Sequence, residues 1–152
     1  MAIFISHSEE ETIQLGIQWA KETSKGTIFG LIGELGSGKT QLVKGLAKGL
    51  GINQTITSPT FAIVNEYKIL NGIFVHIDLY RLEGINDIYK TGITEYLNKN
   101  NIVAIEWAEK LFGVTSKNSD LPAILTGLKY RQTIITAVNN FHRKIEYEDF
   151  GY

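Results

Sequence analysis

Apolar positions along the chain follow two rhythms, and the change from one to the other marks the elements. Short continuous or alternating runs read as strands: Ile3-Phe4-Ile5, Thr27-Ile28-Phe29-Gly30-Leu31-Ile32, Phe61-Ala62-Ile63-Val64, Gly72-Ile73-Phe74-Val75-His76-Ile77 and Ile102-Val103-Ala104-Ile105. Three- and four-residue spacing reads as helix. Ser8-Glu9-Glu10-Glu11 forms a capping box, and Ile13, Ile17 and Ala20 share one face of the helix it opens. Leu42, Val43, Leu46, Ala47 and Leu50 repeat the pattern, with Gly51 placed to end that helix in a left-handed conformation. Leu70-Asn71-Gly72 predicts a hairpin turn, and residues 82–97 predict two short helices broken near Gly92. Residues 52–59 and 113–120 are polar loops. Ala123-Ile124-Leu125 and Gln132-Thr133-Ile134-Ile135-Thr136 flank Gly127-Leu128-Lys129-Tyr130 and predict a final hairpin, while the charged tail over 142–149 reads as a short helix or as unstructured. Strands and helices alternate early and strands dominate late. The expected fold is therefore α/β, a mixed central sheet with helices on both faces.

Composition narrows the picture. A chain of 152 residues with 43% hydrophobic content is the size of one domain with one core, so a single unit over 1–152 is expected, loosely ordered from about 142. Fifteen basic and sixteen acidic side chains nearly cancel, giving no electrostatic footprint for nucleic acid or membrane. Any nucleic acid in its biology is thus expected to be held by a partner. No apolar stretch reaches membrane-spanning length, the first residues lack a basic secretory start, and there is no cysteine. A cytoplasmic protein fits all three. His7, His76 and His142 are scattered and make no zinc set.

The chemistry begins at residues 33–40, Gly-Glu-Leu-Gly-Ser-Gly-Lys-Thr, which fill the phosphate-loop pattern between an apolar strand and a helix. The opening turn of that helix presents free N–H groups and the positive end of its dipole to a phosphate chain. Glycine at 36 and 38 lets the backbone come close to phosphate oxygens. Glu34, Leu35, Gly36, Ser37, Gly38, Lys39, Thr40 and Gln41 form the expected nucleotide-binding set. Lys39 is expected to reach the β- and γ-phosphates, and the Thr40 hydroxyl to take one magnesium position.

Hydrolysis or transfer also needs an acidic group. Asp78 and Glu106 each close an apolar run, which sets a carboxylate at a strand tip where it can hold magnesium. The bland alternatives are that Asp78 caps a helix beginning at Leu79 and that Glu106 is a solvated strand end. Thr57-Ser58-Pro59-Thr60 offers hydroxyls either to a switch loop that senses the γ-phosphate or to an ordinary turn fixed by Pro59. Arg81 is a candidate for stabilising phosphoryl charge or a surface ion pair, and Trp107 a nucleotide wall or a core aromatic.

Taken in order, the phosphate loop, Thr57-Ser58-Pro59-Thr60-Phe61, Asn65-Glu66-Tyr67, His76-Ile77-Asp78-Leu79-Tyr80-Arg81-Leu82, Gly92-Ile93-Thr94-Glu95-Tyr96-Leu97 and Ile105-Glu106-Trp107 resemble the bacterial TsaE family. These are small P-loop ATPases of tRNA threonylcarbamoyladenosine biosynthesis. The resemblance implies ATP and Mg2+ as ligands, slow hydrolysis by the chain alone, and action with TsaB and TsaD on the adenosine beside the anticodon. It also implies Lys39 and Thr40 as the phosphate-loop pair, Asp78 as the magnesium-side acid, Thr60 as the switch threonine and Glu106 as the carboxylate needed for hydrolysis. One departure is visible: relatives often read Trp-Pro-Glu where this chain reads Trp107-Ala108-Glu109, which predicts a looser segment after Glu106. Two rival readings are a nucleotide-gated binding module without turnover and a small-molecule kinase, for whose acceptor site and lid the chain has little sequence to spare.

Overall fold

A computed structural model of the chain describes residues 1–112 and 121–151; the polar loop expected over 113–120 lies outside them. Seven strands form one sheet in the order β1-β7-β6-β2-β5-β4-β3. They are β1 (Ala2–Ser6), β2 (Thr27–Ile32), β3 (Val64–Ile69), β4 (Gly72–Asp78), β5 (Asn101–Glu106), β6 (Lys129–Ala137) and β7 (Arg143–Phe150). β2 pairs in parallel with both β5 and β6, and β4 with β5, while β3 and β7 join antiparallel. The central strands are nearly continuous in apolar residues because both of their faces are covered.

Alternation along the strands sends neighbouring side chains into two separate cores. On one face Phe29, Leu31, Ile135 and Ile145 meet α1 (Glu9–Glu22) and α2 (Lys39–Gly49) through Leu15, Trp19, Leu42 and Leu46. On the other, Ile28, Val75, Ile77, Val103 and Ile105 meet α3 (Ile85–Thr91) through Ile88, together with Leu111 and Leu125 from short 3-10 turns. Helical structure thus covers both faces of a mixed sheet, as the pattern predicts.

The caps explain where the helices begin and end. Ser8 accepts a hydrogen bond from the Glu11 N–H at 3.1 Å and Glu11 reaches back to the His7 N–H at 2.7 Å, satisfying two otherwise orphan donors. α2 ends where Gly51 turns left-handed at φ 85°, with its N–H on the Lys48 carbonyl and that of Ile52 on the Ala47 carbonyl. Gly92, at φ 76°, separates α3 from the 3-10 turn Ile93–Tyr96, as expected.

Ile13, Ile17 and Ala20 share the line of α1 that lies with Gly16 against α2, and burial extends from it over Thr12, Leu15 and Trp19. Three expectations need correction. The run from Phe61 is not strand: pairing with β4 starts at Val64, Ile63 sits at φ 70°, and Phe61 is 84% exposed. Ala123–Leu125 is a 3-10 turn after Pro122 that drives Leu125 into the second core, so it cannot pair with β6. The final hairpin is instead β6 with β7, and the charged tail is β7 itself, an interior strand between β6 and β1. Its period-two pattern buries Ile145 and rests Tyr147 on the first core while charged residues alternate with them.

Candidate functional site

The loop between β2 and α2 opens at the carboxyl ends of the parallel strands, the edge where open α/β sheets bind ligands. Gly36 and Gly38 take φ values of 77° and 108°, conformations that favour glycine and fold the loop over the start of α2. A cavity of about 420 Å³ lies over it. Leu35, Gly36, Gly38, Lys39, Thr40 and Gln41 line this cavity, whereas Glu34 and Ser37 do not. Glu34 contributes its carbonyl to the Ser37 N–H, and the Ser37 side chain is buried beneath the loop.

Lys39 folds back along its own loop. Its ammonium donates to the carbonyls of Gly33 at 2.6 Å and Glu34 at 2.9 Å, and lies 4.1 Å from the centre of the Trp107 ring. Burial pushes the Lys39 pKa below the ordinary lysine value, an effect that the negative charges of Glu106, Glu109, Asp78 and Glu34 oppose. The Lys39 side chain is thus nearly cut off from solvent, held by two carbonyls and the Trp107 ring among acidic side chains.

Parallel pairing of β4 with β5 sets Asp78 opposite Glu106 at the last register position of both strands. Both carboxylates are buried and both line the cavity, so neither is a solvated strand end. Glu106 accepts the Thr40 hydroxyl at 2.9 and 3.2 Å and lies 2.9 Å from His76 Nε2, a wholly buried ring one strand away. Asp78 accepts the hydroxyls of Ser58 at 2.6 Å and Thr60 at 3.1 Å through one oxygen and the Tyr80 N–H at 2.8 Å through the other. No helix begins at Leu79, since α3 starts only at Ile85, and that last bond is a local turn contact, so Asp78 combines a turn role with a place in the cavity. Among the described residues, no group of three or more His, Cys, Asp or Glu is arranged to hold a metal ion by itself.

Other candidates sort themselves by position. Trp107 lines the cavity in a left-handed conformation at φ 60°, which costs a bulky residue roughly 1–3 kcal/mol and aims its ring beneath Lys39. Arg81 is not in the cavity lining; its guanidinium lies 5.2 Å from the centre of the exposed Phe61 ring. The segment after Glu106 is tied down despite the absent proline, because Lys110 donates to the carbonyls of Leu79, Tyr80 and Leu82 at 3.0, 2.6 and 2.7 Å. Sequence reasoning missed His76, whose partner is 30 residues away, and Arg143, whose strand it did not see. An apolar-run histidine two residues before Asp78, on the same face by strand alternation, was the available signal for the first.

A glycine-rich loop from a central parallel strand, its lysine and threonine, and two acids on neighbouring strand tips place the chain among the P-loop NTPase folds. The profile of the threonylcarbamoyl adenosine biosynthesis protein TsaE matches residues 6–134, and the chain belongs to this family. The tRNA threonylcarbamoyladenosine biosynthesis protein TsaE of Nostoc sp. is 44% identical over 115 residues, 72% of this chain and 68% of that protein. The protein of the same name from Haemophilus influenzae is 40% identical over 92 residues, 60% of this chain and 58% of its own length. In structure, the chain is similar to the crystal structure of Bacillus subtilis YdiB, with a TM-score of 0.72 and 27% identity over 96% of this chain and 83% of that one. No helix among the described residues is long and apolar enough to cross a membrane.

Proposed function

We propose that the chain is the magnesium-dependent ATP-binding and ATP-hydrolysing subunit required for threonylcarbamoylation of the adenosine next to the tRNA anticodon, acting in the cytoplasm with TsaB and TsaD. The observation that carries this reading is the bond from Thr40 at the start of α2 to Glu106 at the tip of β5, with Asp78 in register beside it. A phosphate loop used only as an anion clamp needs no buried carboxylates at its mouth, where they repel phosphate. Here two are retained, each held by hydroxyl donors.

The donor set suits Mg2+. The Thr40 hydroxyl and the carboxylates of Asp78 and Glu106 are hard oxygens, and magnesium commonly takes one or two protein oxygens and completes its shell with phosphate and water. Bound there, the ion supplies charge neutralisation to the phosphates. Lys39 exchanges the carbonyls of Gly33 and Glu34 for the β- and γ-phosphate oxygens, a change its buried ammonium favours because it gains a full opposite charge. Glu106, kept in place by His76 when Thr40 lets go, orients the attacking water. Thr60, on the loop held to Asp78, senses the γ-phosphate by leaving that carboxylate.

TsaD carries the transfer chemistry in this reading, and the chain drives the assembly through successive cycles. The test is reconstitution: modification of tRNA by TsaB and TsaD is followed with and without the chain and Mg-ATP. Repeated rounds only when both are present are expected, and an unchanged yield per TsaD without the chain overturns the proposal.

A further inference from the structure

The sheet order places two groups of residues on opposite sides of the phosphate loop. β5 and β4, with Glu106 and Asp78 at their tips, lie to one side of β2, whereas β6, β7 and β1 lie to the other. The pairing directions bring the end of β6 at Ala137, the start of β7 at Arg143 and the end of β1 at Ser6 to the same edge as the loop. From that side Phe141 and Arg143 enter the lining of the same cavity, next to Leu35 of the loop tip, Glu9 and Thr12. In a nucleoside triphosphate the base is at the opposite end from the γ-phosphate. With the γ-phosphate at the carboxylate side, the base falls toward the β6–β7 turn.

That turn is held together by its own hydrogen bonds. The Asn139 side-chain oxygen accepts from the N–H groups of Phe141 at 2.9 Å and His142 at 2.8 Å, and the Val138 N–H donates to the His142 carbonyl at 3.0 Å. Arg143 fastens the turn to the phosphate loop. It donates to the Asn139 and His142 carbonyls at 2.7 and 3.0 Å and reaches the Gly36 carbonyl at 3.4 Å. It makes no ion pair among the described residues. The Phe141 ring is nevertheless 73% exposed and Leu35 81% exposed, so two large apolar side chains stand open to solvent in the lining of the cavity that Arg143 also lines. Neither Phe141 nor Arg143 falls within the stretch 6–134 matched by the family profile.

We propose that this turn is the nucleobase platform: Phe141 stacks on a purine ring, Leu35 adds apolar contact, and Arg143 offers its charge to the phosphate nearest the sugar. The assignment rests on the nucleotide reading above and adds the base-binding side of the same site. A flat aromatic face is a sequence-tolerant partner for any purine, and loss of one stacked base usually weakens binding about five- to a hundredfold.

The test compares ATP with inorganic triphosphate, which carries the phosphates but no base, by titration calorimetry on the full chain. Phe141→Ala should weaken ATP at least about fivefold while leaving triphosphate unchanged, and Phe141→Trp should restore ATP. ATP binding unaltered by Phe141→Ala, or ATP and triphosphate weakened alike, overturns the platform. A wild-type chain that binds neither ligand more tightly than Lys39→Ala overturns the nucleotide reading on which the platform rests.

Discussion

The Thr40 hydroxyl donates to both oxygens of Glu106, at 2.9 and 3.2 Å, joining the first turn of α2 to the tip of β5. Each group thereby occupies the other. Glu106 keeps a second partner in His76, so parting the pair leaves the carboxylate oriented and still satisfied.

Loss of that second partner should be felt in stability. His76 is wholly buried and Glu106 nearly so, and His76→Leu leaves the carboxylate with Thr40 alone. A lost hydrogen bond to a buried charged group costs about 1.5–3 kcal/mol, which urea unfolding resolves. His76→Gln, which retains a donor, should lose less. Equal stability of His76→Leu and wild type would contradict this description of the site.

Lys39→Ala should weaken ATP binding by roughly tenfold or more, since charge-assisted hydrogen bonds contribute about 1.5–3 kcal/mol. Equilibrium titration with ATP checks it. Wild-type affinity in the variant would mean that the ammonium stays on the Gly33 and Glu34 carbonyls when nucleotide binds.

Much of this arrangement was legible in the chain, and the reasons differ by element. The phosphate loop is local: its pattern, its strand and its helix lie within residues 27–51, so spacing alone predicts them. Asp78 and Glu106 were readable as strand ends because apolar runs stop there. Their adjacency was not, since register between β4 and β5 is a long-range fact. β7 was missed because charged residues alternate with Ile145 and Tyr147, diluting the apolar signal of a strand that is interior only because β1 returns to pair with it. Phe61 was misread as strand because composition favours sheet there. The chain instead turns at Ile63 and places Ser58 and Thr60 on Asp78.

The α1–α2 contact gives a sign test. A methyl group at Gly16 would sit 2.5 Å from the Leu42 carbonyl oxygen and 2.8 Å from the Leu46 nitrogen, both backbone atoms. Gly16→Ala should therefore destabilise the fold by about 1–3 kcal/mol through overpacking. In a helix without this close approach the same change would stabilise by up to about 1 kcal/mol. Thermal or urea unfolding that shows a gain would refute the packing.

Glu109 offers a pH test. Burial raises its pKa above the ordinary carboxylate value, outweighing its own backbone hydrogen bond and the attraction of Lys39 and Lys110, and one of its oxygens is buried without a partner. The folded state then holds this proton to higher pH than the unfolded state, so its contribution is present below the unfolded value near 4.5 and is lost as pH rises through the folded value. Glu109→Gln should gain stability relative to wild type across that interval and keep the gain at neutral pH. A difference that stays flat from pH 4 to pH 8 would rule this out.

The central claim is that Glu106 serves hydrolysis rather than binding, and phosphate release from Mg-ATP tests it most directly. Wild type and Glu106→Ala are compared, alone and with TsaB and TsaD added, while ATP affinity is measured in parallel. The account predicts slow release by wild type that the partners increase, and release at least about a hundredfold lower in Glu106→Ala at near-normal ATP affinity. Comparable release by both proteins, or loss of ATP binding in Glu106→Ala to the degree seen in Lys39→Ala, would contradict it.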